Sequence, residues 1–289
     1  MAMSWVCALA LSAWACQSGS TTGSGAGGGA DQLSGVRASV VQQRIDEGTR
    51  HIGIEVSVDP HTSLHVVGVQ LKSAGFEAIP ITDKDTTFAP GQVIDLTTDY
   101  GRPLCDGVDP TDGLSAVLSV DDATGDSRTY EIPVTGSGIG LIRRLHAAEC
   151  ARLALREAAP ITYTTFHRAR VDGEEVLVGA LRLERPAAGG SGAAVGVDAL
   201  LGSVLFDFRA LADVRPGLVA RLDAGQQVLR VPVRIGSSGR CDQHARSQST
   251  QTFLFSAYVR VGSTAEHREI LVPPPTLQRQ ALALLDDVC

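Results

Sequence analysis

The second half of this chain repeats the first, landmark by landmark, at an offset that drifts only from 126 to 139 residues. Arg44 and Asp46 return as Arg170 and Asp172, and Leu71-x-Ser73-x-x-Phe76 returns as Leu201-x-Ser203-x-x-Phe206. The Gly91-Gln92 pair returns as Gly225-Gln226, Cys105-Asp106 as Cys241-Asp242, and Cys150 as Cys289. Whatever plan one half folds into, the other must be able to adopt. A length of 289 residues points the same way, because a single hydrophobic core seldom organises so long a chain. The expected organisation is two tandem modules, residues 36–157 and 158–289.

The repeat also constrains the cysteines. Setting aside Cys7 and Cys16 leaves Cys105, Cys150, Cys241 and Cys289, and four cysteines allow three pairings. A unit that carries two cysteines and is copied whole pairs them within itself, so Cys105 is expected to bond Cys150, and Cys241 to bond Cys289. Structural zinc is the competing use. It favours closely spaced pairs, and here the two cysteines of a module lie more than 40 residues apart. Disulfides place the folded part in an oxidising compartment.

Apolar alternation describes the elements. From His51 to Asp59, Ile52, Ile54, Val56 and Val58 share one face while polar residues and Gly53 share the other, the signature of a half-buried strand. Further strands are predicted at 64–71, 93–98, 114–120 and 128–134 in the first module. In the second they fall at 161–171, 175–183, 200–208, 228–235, 252–261 and 269–272. Pro133 and Pro232 interrupt two of these and predict sheet edges or bulges, since proline removes a ladder donor. Helical spacing precedes each closing cysteine: Leu141, Leu145 and Ala148 in one module, Leu277, Ala281, Leu284 and Val288 in the other. The predicted fold is therefore mainly β, two tandem antiparallel β-sandwich-like (Ig-like) domains, each with one short C-terminal helix.

Residues 1–15 are apolar and too short for a lasting membrane span, and read as an export signal. Ala13-Trp14-Ala15-Cys16 resembles a bacterial lipobox, which makes Cys16 the expected lipidation site. Residues 16–35, dominated by Gly, Ser and Thr, then form a flexible tether. The membrane is thus an expected partner, reached through the lipid.

Charge narrows the function classes. The net charge is −7, carried by residues 36–155 with 17 acidic and 10 basic groups, against 14 and 15 for 156–289. Neither half has the basic stripe that phosphate neutralisation along a nucleic acid requires, so nucleic acid is not an expected partner. The run 135–140, Thr-Gly-Ser-Gly-Ile-Gly, precedes a predicted helix but lacks the lysine of a P-loop, and reads as a plain turn. Asp106, Asp109 and Asp112, followed by Asp121, Asp122 and Asp126, offer oxygen ligands without the spacing of a calcium loop, and read as turn residues. Asp242 and His244, beside Cys241, are the candidate binding pair, because an Asp-x-His in an exposed loop is able to bind metal or move a proton. The first module has Cys-Asp without the histidine, so Asp242 is also expected as a turn or cap residue. No catalytic residue, metal site or cofactor is predicted.

The string Gly140-Leu141-Ile142-Arg143-Arg144-Leu145-His146-Ala147-Ala148-Glu149-Cys150, with Arg240-Cys241-Asp242-x-His244-Ala245 and the closing Leu284-Leu285-x-x-x-x-Cys289, is similar to an uncharacterised group of actinobacterial exported proteins. The resemblance spans about residues 36–289. It implies origin and two-part organisation, and it brings no catalytic residue. The expected function is a non-enzymatic exported cell-envelope binding or structural module, lipid-anchored at the extracytoplasmic face of the membrane or secreted, whose partner is an unidentified protein or envelope ligand. The alternatives are an extracellular hydrolase acting on cell-wall or other extracellular substrate, and an accessory subunit of a membrane complex.

Overall fold

The computed structural model describes residues 33–122, 124–187, 192–211 and 217–289; the export signal, most of the tether and Cys16 lie outside them. Residues 31–289 form one compact unit. Its first half sets two antiparallel sheets together. One has the order β1 (Val36–Val41), β2 (His51–Val58), β5 (Val93–Asp99). The other has the order β4 (Thr82–Phe88), β3 (Leu64–Lys72), β6 (Ser115–Asp121), β7 (Ser127–Pro133). The alternating residues of β2 behave as their spacing demands: Ile52, Ile54 and Val56 are fully buried, with Leu118 of β6 and Phe88 of β4 in the same core.

The second half builds the same inner orders again. A sheet of β12 (Phe206–Ala210), β14 (Val228–Ser237), β10 (Glu174–Glu184) and β8 (Ile161–Tyr163) also takes in β9 (His167–Val171), which pairs with β10. Against it lies β13 (Ala220–Leu222), β11 (Val195–Leu201), β15 (Phe255–Val261), β16 (His267–Leu271). Three phenylalanines, Phe206, Phe208 and Phe255, fill the centre, Phe208 and Phe255 stacked at 5.1 Å. The chain is thus mainly β, with antiparallel pairing throughout its sheets.

The repeated Gly-Gln is a repeated turn. Gly91 and Gly225 both take positive φ, 76° and 84°, the left-handed region that a Cβ disfavours. In each, the following glutamine folds its side-chain oxygen back to the amide three residues earlier: Gln92 to Ala89 at 2.8 Å, Gln226 to Asp223 at 3.3 Å. The recurrence therefore preserves the turn that launches β5 in the first half and β14 in the second.

Several elements depart from the alternation pattern. The stretch 200–208 is two strands, β11 and β12, because Gly202 lies against the backbone of Phe206, where a Cβ would sit 2.1 Å from its carbonyl oxygen. Pro133 lies in an edge strand, β7. Pro232 does not: β14 is flanked by β10 and β12, and the proline is accommodated because the ladder with β12 ends at the adjacent Ala210–Val233 pair. The polar strand β4 escaped the pattern because an edge strand needs no extended apolar face.

Helices differ most. Rather than ending near Cys150, α1 runs Ser137–Ala158, 22 residues. Its start lies on the first core through Ile142, and Leu155 and Ala158 enter the second. One rigid rod therefore crosses the expected join and ends only at Ala159, one residue before Pro160, where proline disfavours helical geometry. A six-residue helix, α2 (Gln243–Gln248), is an addition to the single helix expected in the second half. In α3 (Pro275–Val288) proline occupies the first turn, where its missing N–H costs nothing. Its buried stripe is Leu277, Ala281, Leu284 and Leu285, and Val288 is exposed. No helix among the described residues is long and apolar enough to cross a membrane.

Candidate functional site

Disulfides join Cys105 to Cys150 and Cys241 to Cys289, with Cα atoms 5.7 and 5.3 Å apart. Each ties a helix to the loop that follows a strand. In the second half the loop carries Asp242, which caps α2: its Oδ1 accepts the Ala245 amide at 2.8 Å. Arg246 pairs with Asp286 of α3, so the segment is held on both sides. His244 is exposed and its ring makes no hydrogen bond among the described residues. Asp242 thus serves the backbone rather than joining the imidazole in a shared site. No group of three or more potential metal ligands occurs among the described residues. The acidic loops of the first half are turns: Asp109 accepts the Thr111 amide and hydroxyl, and Asp122 those of Thr124. These bonds hold both carboxyls below the usual carboxylate range.

A buried chain of charged side chains lies along α1, where residues of both cores meet the helix. Glu149, Arg152 and Arg156 recur at spacings of three and four and so share one face of the helix. Glu149 is only 4% exposed and accepts from two arginines. Arg50, just before β2, donates from Nε and Nη2 to Glu149 Oε2 at 3.2 and 3.1 Å. Arg152 donates from Nη1 to Glu149 Oε1 at 2.7 Å, and from Nε to Glu269 Oε2 of β16 at 3.3 Å. A charge chain Arg50–Glu149–Arg152–Glu269 therefore links the first strand layer, the helix and the last strand of the second half.

Burial perturbs the neighbours of this chain. It pushes the Glu269 carboxyl upward, with Arg152 opposing. It lowers the pKa of His267, two residues away, and the positive charge of Arg152 adds to that effect against a weaker contact with the Val259 backbone. Tyr100, beside the same network, is pushed up to about 12, mainly by burial and next by the charge of Glu149. Further contacts close the junction. Gln251 donates to the Arg44 carbonyl, Arg268 donates to Glu47 at 3.3 Å, and Gly48 lies against Ile270.

Above the charge chain opens a cleft of about 520 Å³ lined by Arg50, Glu77, Arg102, Glu149, Arg152 and Arg156, with Pro103 and Leu153. The loop bearing Arg102 is held tightly. Its carbonyl accepts the Glu77 amide at 2.8 Å, the Leu104 amide donates to Gly75 at 2.8 Å, and Cys105 is bonded to α1. Phe76 packs on Tyr100 at 5.0 Å and meets His146 of the helix edge-on. The first disulfide therefore fixes the distance across the cleft between the Arg102 loop and the Arg152–Arg156 face.

The sequence alone does not single out this cluster. Its signal was present only as a Glu149–Arg152–Arg156 spacing that any exposed helix face could show; its partners are distant, Arg50 lying 99 residues before Glu149 and Glu269 of β16 lying 117 residues after Arg152. No protein-family model matches the chain, and no curated protein matches it.

Proposed function

We propose that this protein is an exported, non-enzymatic binding module of the cell envelope, tethered at the extracytoplasmic face of the membrane by a lipid on Cys16. The observation that carries the reading is the pair of disulfides, each closing one half of the fold, which suits an oxidising compartment outside the cytoplasm. The short apolar N-terminus and the lipobox-like Ala13-Trp14-Ala15-Cys16 supply the route and the anchor. A body of two cores joined by α1 and a buried ion network is suited to presenting a fixed surface beyond the Gly/Ser-rich segment that follows Cys16.

The reading is tested by fractionating cells that express the full chain and its Cys16→Ser variant, with alkyne-fatty-acid labelling and thiol counting on each fraction. The expected result is a labelled membrane form with four cysteines oxidised, and a variant that loses the label and leaves the membrane. A soluble cytoplasmic chain with free thiols would overturn it.

A further inference from the structure

We propose that the arginine-lined cleft is a binding site for the phosphate group of a small anionic ligand, held by Arg102 from the loop after β5 and by Arg156 from α1. The inference rests on the binding-module reading and names its ligand chemistry.

Four arginines enter this cleft from three parts of the chain: Arg50 before β2, Arg102 after β5, and Arg152 and Arg156 on α1. Two of them are spent on structure. Arg50 and Arg152 are engaged by Glu149, and Arg152 also by Glu269. The other two are not. Among the described residues neither Arg102 nor Arg156 has a carboxylate within ion-pairing distance, and both side chains are exposed. Arg156 adds only a longer-range attraction to Glu269. Of the lining carboxylates, Glu149 is satisfied and Glu77 is exposed without an arginine.

The surroundings make this concentration of positive charge informative. The chain carries net −7, and its first half, which supplies one wall, is the acidic half. A positive cleft in an acidic protein concentrates anions from solution. Guanidinium forks match carboxylate and phosphate oxygens in pairs. One fork uses up both oxygens of a carboxylate. Two forks from separate elements suit a tetrahedral phosphate, which offers three terminal oxygens and up to two charges. Glu77 at the same wall then accepts from a hydroxyl or amine on the body of the ligand. The volume, about 520 Å³, lies within the range of small-molecule sites.

The backbone beneath both arginines is preset rather than induced. The Arg102 loop is pinned by its bond to Glu77 and by Cys105–Cys150, and Arg156 rides on a helix shared by both cores. Pre-ordering removes an entropic cost that two free arginine side chains on mobile loops would add to binding.

The test uses the full chain carrying Cys16→Ser, so that lipid anchoring does not contribute, beside the same chain with Arg102→Gln and Arg156→Gln. Calorimetric titration with inorganic phosphate and glycerol phosphate, at fixed ionic strength, is compared with acetate. Flotation with phosphatidic acid in phosphatidylcholine vesicles, against phosphatidylcholine alone, separates a lipid headgroup from a free phosphate. The expected result is saturable binding in the phosphate arm or the phosphatidic acid arm, weakened about tenfold or more in the double-arginine variant. Circular dichroism should show that variant to be fully folded. Absence of saturable binding in both arms, equal binding of acetate, or undiminished binding by the folded variant would overturn the proposal. An exported, oxidised chain that ignores phosphate refutes this inference alone; a reduced cytoplasmic chain refutes the binding-module reading whatever it binds.

Discussion

Replacing Arg152 by methionine removes the one cation that joins both buried carboxylates while keeping most of the apolar stem in place. The side chains of Glu149 and Glu269 are 5% and 11% exposed, and that of Arg152 16%. After the change Glu149 keeps Arg50, whereas Glu269 has no ion-pair partner among the described residues. Breaking a buried pair from one side costs about 3–5 kcal/mol, because the remaining charge stays desolvated. Glu269 limits that cost by taking up a proton. From an ordinary pKa of 4.5, protonation at pH 7.5 costs about 4 kcal/mol, and at pH 5 less than about 1 kcal/mol. The sign follows: the folded variant binds a proton more tightly than its unfolded chain, so its deficit grows as pH rises. Arg152→Met should therefore lose about 3–4 kcal/mol at pH 7.5 and about 1 kcal/mol at pH 5. Adding Glu269→Gln should recover most of the deficit at the higher pH. Urea unfolding followed by far-UV circular dichroism, without reductant, measures both. A loss below about 1 kcal/mol at pH 7.5, a loss independent of pH, or no recovery from Glu269→Gln would refute the assignment of this network as a buried clasp between the cores.

Other consequences are open to direct measurement. Removing either disulfide by paired Cys→Ala changes should cost about 4 kcal/mol in denaturant unfolding, since the closed loops are 45 and 48 residues long; a cost below about 1 kcal/mol would contradict the chain-entropy account. His267 has its folded pKa below the ordinary 6.5, so the unfolded chain binds its proton more readily and stability falls as pH drops below 6.5 toward the folded value. His267→Gln should flatten that part of the pH–stability curve, and an unchanged slope would remove His267 as its cause. Gly101→Ala should displace the Arg102 loop, because the new Cβ would lie 1.9 Å from the Glu77 carbonyl oxygen; thermal melts should show a drop of several degrees, and a wild-type melting temperature would count against the close approach.

Much of the architecture was legible because alternation reports burial directly. In β2 the residues predicted to face inward, Ile52, Ile54, Val56 and Val58, are those that do. A pleated strand has a period of two, and no distant partner is needed to see it. The repeat could be read for the same local reason: Gly91-Gln92 and Gly225-Gln226 build their turns from neighbours three residues away. What was illegible depended on contacts across the chain. The Asp242 cap, by contrast, was expected from the sequence, because its partner, the Ala245 amide, lies three residues away. The charge chain through Glu149 depends on Arg50 and on Glu269, each about 100 residues or more from its partner on α1.

By itself, then, the sequence determined the β class, the recurring Gly-Gln turn and the spacing that pairs cysteines within each half, all of which follow from local periodicity and recurrence. Only tertiary structure decided that α1 continues to Ala158 and serves both cores, because helix length there depends on apolar surface that Leu155 meets in the second core. Only it converted an ordinary run of helix charges into a buried clasp below an arginine-lined cleft. Burial and charge proximity belong to the assembled chain, and it is these that divide arginines held for structure from the two left facing the cleft.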